Sequence, residues 1–128
     1  MPMTKVVLRV LPGMFAICRL APESRIPAWA TAAPFCSVTR TPEELSIVAP
    51  AEAVPAAVAG ERGWRCLAVA GPLPLDAVGV LAAIAEQLAR AGISLFAVST
   101  YDTDYVLVRV ETLDRATSIL ARAGHEVG

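Results

Sequence analysis

The pattern of apolar and polar residues is most regular between Gly71 and Val110, where it predicts a turn, a helix and two strands in succession. Pro72 and Pro74 open this stretch with a turn, because each proline fixes φ and removes a backbone donor. Asp76 then offers a helix N-cap, and Gly92 marks the end of the helix. Between them the apolar residues recur at the spacing of one helical face: Val80, Leu81, Ile84, Leu88 and Ala91.

Two β-forming runs after this helix predict a β-hairpin. Residues 93–99 and 105–110 are rich in β-branched and large apolar side chains, and the residues between them are polar turn formers. The polar residues therefore gather at the ends of the helix and of the strands, where ligands commonly bind.

The rest of the chain predicts a similar order of elements on either side of this stretch. A second full helix is predicted at 113–123 and a final short strand at 125–127, while only short helical segments fit at 26–30 and 51–59. The remaining predicted strands cover 6–10, 15–20, 35–39, 44–48 and 64–70.

An offset of 60 residues aligns two hairpins of the chain, with Thr39 falling on Ser99 and Glu44 on Asp104. We therefore interpret the chain as two βαββαβ-like halves, residues 1–62 and 63–128, the first with stunted helices. Such a half is a ferredoxin-like unit, so the predicted fold is α+β, with tandem modules, antiparallel sheets and helices on one face. Because about 60 residues is a marginal size for independent folding, we expect one cooperative unit.

The composition excludes several classes of function. The chain has 128 residues, of which 55% are hydrophobic and 18% charged, so it can bury a core. Its net charge of -1 gives no reason to expect nucleic acid as a partner, and no apolar run approaches the roughly 18 residues of a membrane span. The first residues indicate a strand and not a signal peptide. Three widely spaced cysteines, Cys18, Cys36 and Cys66, predict buried thiols in a reducing cytoplasm and no zinc site.

Catalytic chemistry finds little support in the sequence. His125 is the only histidine, and its place near the C-terminus predicts an exposed side chain without a nucleophile to activate. Asp102 and Asp104 form a carboxylate pair, but a turn with two aspartates more often is only solvated, and a metal site needs more oxygen ligands. Acylphosphatases share the ferredoxin-like topology, yet their water-orienting asparagine has no counterpart, because the chain contains no asparagine. We expect no enzyme, no cofactor and no metal.

Ligand binding is better supported, although each feature has an alternative explanation. The first N–H groups of the helix that follows Asp76 lack intrahelical partners and suit a carboxylate. Gly79 either leaves room for a ligand to approach the backbone or packs closely against a strand. Ser99 and Thr100 supply hydroxyls, and Asp104 either meets an ammonium or guanidinium group or is a solvated turn residue.

The quoted features together resemble the ACT domain, in particular the subgroup of the arginine-sensing CASTOR proteins, their small bacterial relatives and the aspartate kinases. The resemblance covers residues 11–124 and rests on the turn at Gly71, the helix start at residues 79–81, and the Ser-Thr-Tyr-Asp-Thr-Asp-Tyr stretch at 99–105. The first-half stretch at residues 37–48 is also similar to the small bacterial members.

The resemblance implies a regulatory module that binds an amino acid at the interface between two modules. It places the ligand's carboxylate on the backbone of Gly79, Val80 and Leu81. It turns Ser99, Thr100 and Asp104 towards the same cleft, with Asp76 as a second acidic candidate. In the first half the matching hairpin positions are Thr39 and Glu44, but no counterpart of residues 79–81 exists there, so that half contributes a wall or a packing surface.

Three expectations about assembly and role follow from the same resemblance. We expect a cytoplasmic, non-enzymatic homodimer that passes its ligand state to an unidentified protein effector. The alternative is a structural dimerisation or interaction module whose pocket is vestigial. The ligand's identity stays open at this stage, and so does the question of whether one chain or two chains build the cleft.

Overall fold

The computed structural model describes residues 5–73 and 78–128 and divides the chain into two compact units. The first unit comprises the chain up to Pro12 together with Arg65–Gly128, and the second is Gly13–Trp64. The strands are β1 (Val7–Val10), β2 (Phe15–Leu20), β3 (Ser37–Arg40), β4 (Leu45–Pro50), β5 (Gly60–Val69), β6 (Leu95–Ser99), β7 (Asp104–Arg109) and β8 (Glu126–Val127). The helices are α1 (Val80–Arg90) and α2 (Leu113–Arg122).

In the first unit the strand order is β8-β1-β5-β7-β6. The antiparallel pairs β1–β5 and β6–β7 agree with the predicted sheet, but β1 and β8 are parallel, with Val7 opposite Glu126. The sheet is therefore mixed, a correction to the purely antiparallel prediction. The cause is that β1 lies between β5 and β8, which run in opposite directions. A strand between two such neighbours must be parallel to one of them.

One hydrophobic core holds the helices of the first unit on its sheet. Alternate residues of β5 and β7 point into it, in keeping with the two-residue repeat of a strand, and α1 contributes residues at helical spacing. Its fully buried members include Leu8, Leu67, Val106, Val108, Ile84, Leu88, Ala116 and Leu120. The predicted helix end is confirmed, since Gly92 has φ +72° and the Ile93 N–H reaches the Leu88 carbonyl over 3.0 Å.

The second unit has strands in the order β3-β4-β2, with the first residues of β5 next to β2. Single 3₁₀ turns at Ala28–Ala30 and Ala51–Ala53 stand where short helical segments over 26–30 and 51–59 were predicted. Prolines limit both segments, because Pro27 precedes the first turn in an extended conformation and Pro55 lacks a donor. The Arg62 guanidinium donates to the carbonyls of Val54, Pro55 and Val58. These hydrogen bonds, and not a helix, hold the segment around residues 54–58 in place.

The division of the chain by contacts differs from the predicted halves 1–62 and 63–128 at the N-terminus. Residues up to Pro12 belong with Arg65–Gly128, because β1 pairs with the second half of β5 and with β8. Sequence order alone assigned β1 to the first half. The boundary near residue 64 falls within β5, whose two ends pair with different strands.

His125 is buried and not exposed as predicted, with 5% of its surface accessible. The Val6 N–H donates to its Nδ1 over 3.2 Å, so the ring carries its proton on Nε2 and donates it to Gln87 Oε1 over 2.9 Å. Burial lowers the pKa of His125, and the Lys5 charge lowers it further. The imidazole is thus a neutral structural link between Val6, directly before β1, Gln87 of α1 and the end of the chain.

The thiols follow the predicted pattern in two of three positions. Cys18 and Cys66 are buried, whereas Cys36 is only half-buried, and all three are free. Burial raises the pKa of Cys66 to about 12 and also raises the pKa of Cys18, against the opposing charge of Arg62. The two buried thiols therefore remain protonated at neutral pH.

Candidate functional site

A cleft of about 360 Å³ opens in the first unit, where the start of α1 faces the turn between β6 and β7. Six of the seven residues proposed from the sequence line this cleft: Gly79, Val80, Leu81, Ser99, Thr100 and Asp104. The seventh, Asp76, lies outside the described residues. Leu73, Ala82, Tyr101, Asp102 and Thr103 complete the lining.

One wall of the cleft is the N-terminus of α1. The helix begins at Val80 with Gly79 as its N-cap, later than the start predicted from Asp76, because Gly79 has the left-handed φ of +87°. The first intrahelical bond runs from the Ala83 N–H to the Gly79 carbonyl over 2.9 Å. The N–H groups of residues 80–82 therefore lack a helical acceptor, and no side chain of the described residues caps them.

The reason for glycine at position 79 is its backbone conformation. A Cβ built there would have no atom of the described residues within 4 Å, so the alternative of close packing against a strand is wrong. The Val80 side chain turns into the core and is 8% exposed. The open space over Gly79 and the free N–H groups beside it leave the backbone accessible from the cleft.

The opposite wall carries a hydroxyl–carboxylate pair. Ser99 and Asp104 are register partners at the ends of β6 and β7, and the Ser99 hydroxyl donates to Asp104 Oδ1 over 2.6 Å. Asp104 lies on the same strand face as the buried Val106 and Val108, so its carboxylate is on the side of the helices. With Asp102, two carboxylates and no basic side chain line the described part of the cleft.

Thr100 builds the turn that joins the two strands. Its N–H and its hydroxyl both donate to the Thr103 carbonyl, over 2.8 and 3.0 Å, and its hydroxyl accepts the Thr103 N–H over 3.2 Å. The hydroxyl proposed for ligand binding is therefore engaged in local structure. The Thr-x-x-Thr spacing is a signal for such a turn, and it points to Thr103, which is not among the site residues predicted from the sequence.

The second unit repeats this turn with a different register from the predicted one. The Thr41 N–H donates to the Glu44 carbonyl over 2.9 Å, and its hydroxyl accepts the Glu44 N–H over 3.1 Å, as at Thr100. Thr41 thus corresponds to Thr100, an offset of 59 and not 60 (100 minus 41). Because side chains alternate between the two faces of a strand, an alignment that is wrong by one residue matches residues that lie on opposite faces.

With the offset of 59, Arg40 corresponds to Ser99 and Leu45 to Asp104, which replaces the earlier matches of Thr39 and Glu44. Leu45 is fully buried, and the Arg40 guanidinium donates to the carbonyls of Pro22 and Ser24. The second unit therefore has neither the hydroxyl–carboxylate pair nor a full helix start. At the position that corresponds to Ser99, the hairpin of the second unit carries Arg40, whose guanidinium is held by backbone carbonyls.

A metal site and a membrane-spanning helix are both absent from the part of the chain that the structure describes. Within residues 5–73 and 78–128, no group of three or more His, Cys, Asp or Glu side chains is placed to hold a metal ion. Over the same ranges no helix is long and apolar enough to cross a membrane.

Comparisons with known proteins connect this geometry to a family. A family model of the ACT domain matches residues 59–122, half of the chain, and a second model, described as an N-terminal domain, matches residues 13–57. The cytosolic arginine sensor for mTORC1 subunit 1 of Bos taurus is 35% identical over 66 residues, which are 51% of this chain and 20% of that protein. The match thus spans a fifth of that curated relative.

Solved structures resemble the chain over almost its whole length. A protein of Agobacterium tumefaciens is 38% identical with a TM-score of 0.92, and the match covers 98% of this chain and 93% of that one. A Vibrio cholerae protein of unknown function is 24% identical with a TM-score of 0.76, covering 93% and 90%. The regulatory subunit of aspartate kinase from Thermus thermophilus, 11% identical with a TM-score of 0.63 over 94% and 99%, shares the fold. The predicted ferredoxin-like α+β class is confirmed.

Proposed function

The chain belongs to the ACT-domain family, and from this premise we propose that it is a non-enzymatic regulatory protein that binds an amino acid in the cleft at the start of α1. The observation that supports the proposal most directly is the meeting of a free helix N-terminus and a hydroxyl–carboxylate pair around one cavity. An α-amino acid carries an anionic and a cationic group, and these two walls offer a partner for each.

The ligand's carboxylate is assigned to the helix N-terminus. The N–H groups of residues 80–82 have no helical acceptor, and the helix dipole adds partial positive charge at this end. Among the described residues, the first turn of α1 itself contains no acidic side chain. The open space over Gly79 lets the carboxylate approach the backbone.

The ligand's ammonium group is assigned to Asp104. Ser99 occupies Oδ1 of this carboxylate, which leaves Oδ2 free to accept from the ligand. Asp102 adds a second negative charge to the lining, and no lining residue in the described part is basic. The charge therefore favours amino acids with neutral or cationic side chains over those with acidic ones.

The proposal includes an assembly. The ligand is held where another module closes the cleft, the protein is a homodimer, and a protein effector reads the ligand state. Tyr101, which lines the cleft, is 78% accessible, and Val78, which precedes Gly79 in the chain, is 87% accessible. These side chains are apolar surface that such a neighbour would cover. The vestigial-pocket alternative requires the same assembly without any ligand.

Thermal unfolding in the presence of each of the twenty amino acids tests the proposal. A ligand at 100 times its dissociation constant adds about 2.7 kcal/mol to the free energy of unfolding, a rise of several degrees in the midpoint. Asp104→Asn keeps the shape of the side chain and removes its charge, so it should abolish the rise. Asp114→Asn, which removes an equal charge from the exposed first turn of α2, serves as the matched control.

The outcomes separate the two explanations. A rise for one or a few amino acids that survives Asp114→Asn and is lost in Asp104→Asn supports the proposal and identifies the ligand. If none of the twenty amino acids at millimolar concentration changes the unfolding midpoint, the proposal is contradicted. The remaining explanation is then a structural module with a vestigial pocket. A rise that Asp104→Asn preserves shows that the ligand binds elsewhere.

A further inference from the structure

Two hydrogen bonds join the turn at Thr100–Thr103 to the segment that leads towards α1. The Thr103 hydroxyl donates to the Val69 carbonyl over 2.8 Å, and the Leu73 N–H donates to the Asp102 carbonyl over 2.6 Å. The first bond spans 34 residues of sequence. It lies between the end of β5 and the start of β7, beside the cleft and not within either hairpin.

The turn and the segment also pack closely against each other at Gly71. A Cβ built at Gly71 would lie 3.0 Å from Thr103 Cβ and 3.1 Å from the Asp102 carbonyl oxygen. Such distances are tighter than ordinary contact, and one of the neighbours is backbone, which cannot easily yield. Glycine at 71 therefore allows the turn to rest directly against the segment.

The joined elements are walls of the same cleft. Leu73 lines the cleft from the segment, and both Leu73 and Leu81 of α1 pack against the same core cluster. Asp102 and Thr103 line the cleft from the turn, which places Asp104 at its end. A shift of the turn relative to the segment would change the distance between Asp104 and the start of α1.

We propose that Thr103 is a positioning residue, whose hydroxyl on Val69 fixes the hairpin wall of the cleft against the segment that carries Leu73 and leads towards the α1 wall. The hydroxyl is committed to a carbonyl of β5, so Thr103 acts on a ligand through Asp104 and the helix start. The consequence for affinity rests on the proposed function, whereas the link between the walls can be measured without a ligand.

Thr103→Val is the decisive variant, because valine keeps the shape of threonine and removes only the donor. Amide exchange and chemical shifts, followed by NMR on the full chain without ligand, give the first readout. We expect exchange at Leu73 and Thr100 to quicken roughly fivefold, the factor that corresponds to one lost hydrogen bond of about 1 kcal/mol. The amide signals of residues 80–82 should move as well.

The control removes a comparable bond at a distance from the cleft. Thr117 on α2 donates its hydroxyl to the Asp114 carbonyl over 3.0 Å, so Thr117→Val makes the same chemical change there. It should leave Leu73, Thr100 and residues 80–82 unaffected. Thr103→Ser keeps the donor and should restore wild-type exchange.

The second readout is the midpoint shift produced by each of the twenty amino acids at 5 mM. Thr103→Val should reduce any shift seen with the wild-type protein, and Thr103→Ser should recover it. Unchanged exchange and unchanged signals at 80–82 in Thr103→Val would overturn the positioning role, and so would altered exchange with an undiminished ligand shift. If no amino acid shifts the wild-type midpoint, the proposed function fails, and the exchange data still decide whether Thr103 joins the walls.

Discussion

Replacing Gly79 by alanine changes a backbone conformation without creating a clash. The residue has φ +87° and ψ 0°, in the left-handed region, and a Cβ there meets no atom of residues 5–73 or 78–128 within 4 Å. The cost is therefore the conformational penalty of a side chain in that region, about 1–2 kcal/mol. For a chain of this length that lowers the unfolding midpoint by roughly 3–10 °C.

Gly92→Ala is a matched control for this strain. Gly92 has φ +72° at the other end of α1, and a Cβ there also meets no atom within 4 Å. Both variants should therefore lose similar stability in urea or thermal unfolding. Only Gly79→Ala places a methyl group over the cleft, so only that variant should weaken the midpoint shift produced by an amino acid.

Three results would refute this reasoning. If Gly79→Ala is as stable as the wild-type protein, the left-handed cap does not decide the choice of glycine. If Gly79→Asn, which tolerates the left-handed region better, is less stable than Gly79→Ala, the penalty has another source. Equal losses of ligand response in Gly79→Ala and Gly92→Ala would show that the effect is on stability and not on the cleft.

Four further variants, at three positions, test the core, the buried imidazole and the hydrogen bonds of Arg62 in the second unit. Ile84→Ala removes a fully buried side chain and should cost about 2–5 kcal/mol in urea unfolding, and a loss below 1 kcal/mol would contradict the core assignment. Burial lowers the pKa of His125, so the stability it contributes is complete above pH about 6.5 and is lost as the pH falls towards the lowered folded value. His125→Gln should flatten this part of the curve of stability against pH, and an unchanged slope would exclude His125 as its source. Arg62→Ala should lose about 1–2 kcal/mol through three carbonyl bonds, and Arg62→Lys should recover only part, whereas full recovery would mean that charge alone matters.

The main elements could be predicted from local pattern because their causes are local. The 3.6-residue spacing through Ile84 and Leu88 indicates α1, and Gly92 ends it where only glycine enters the left-handed region freely. The hairpin of β6 and β7 follows from two β-forming runs around a polar turn, and its ends bring Ser99 and Asp104 together. The same local patterns predict that the helix start and the hairpin end carry the candidate site.

The sequence by itself determined the elements, the fold class and the residue types of the cleft. Periodicity, turn chemistry and family motifs each depend on residues that lie close together along the chain. Only the tertiary structure decided that β1 lies between β5 and β8, that the two hairpins correspond with an offset of 59, and that Thr103 bonds to Val69. It also buries His125 against Val6, 119 residues away. These features depend on contacts between residues that are distant in the sequence. A buried donor or acceptor must be hydrogen-bonded, and its partner is whichever group the fold places beside it.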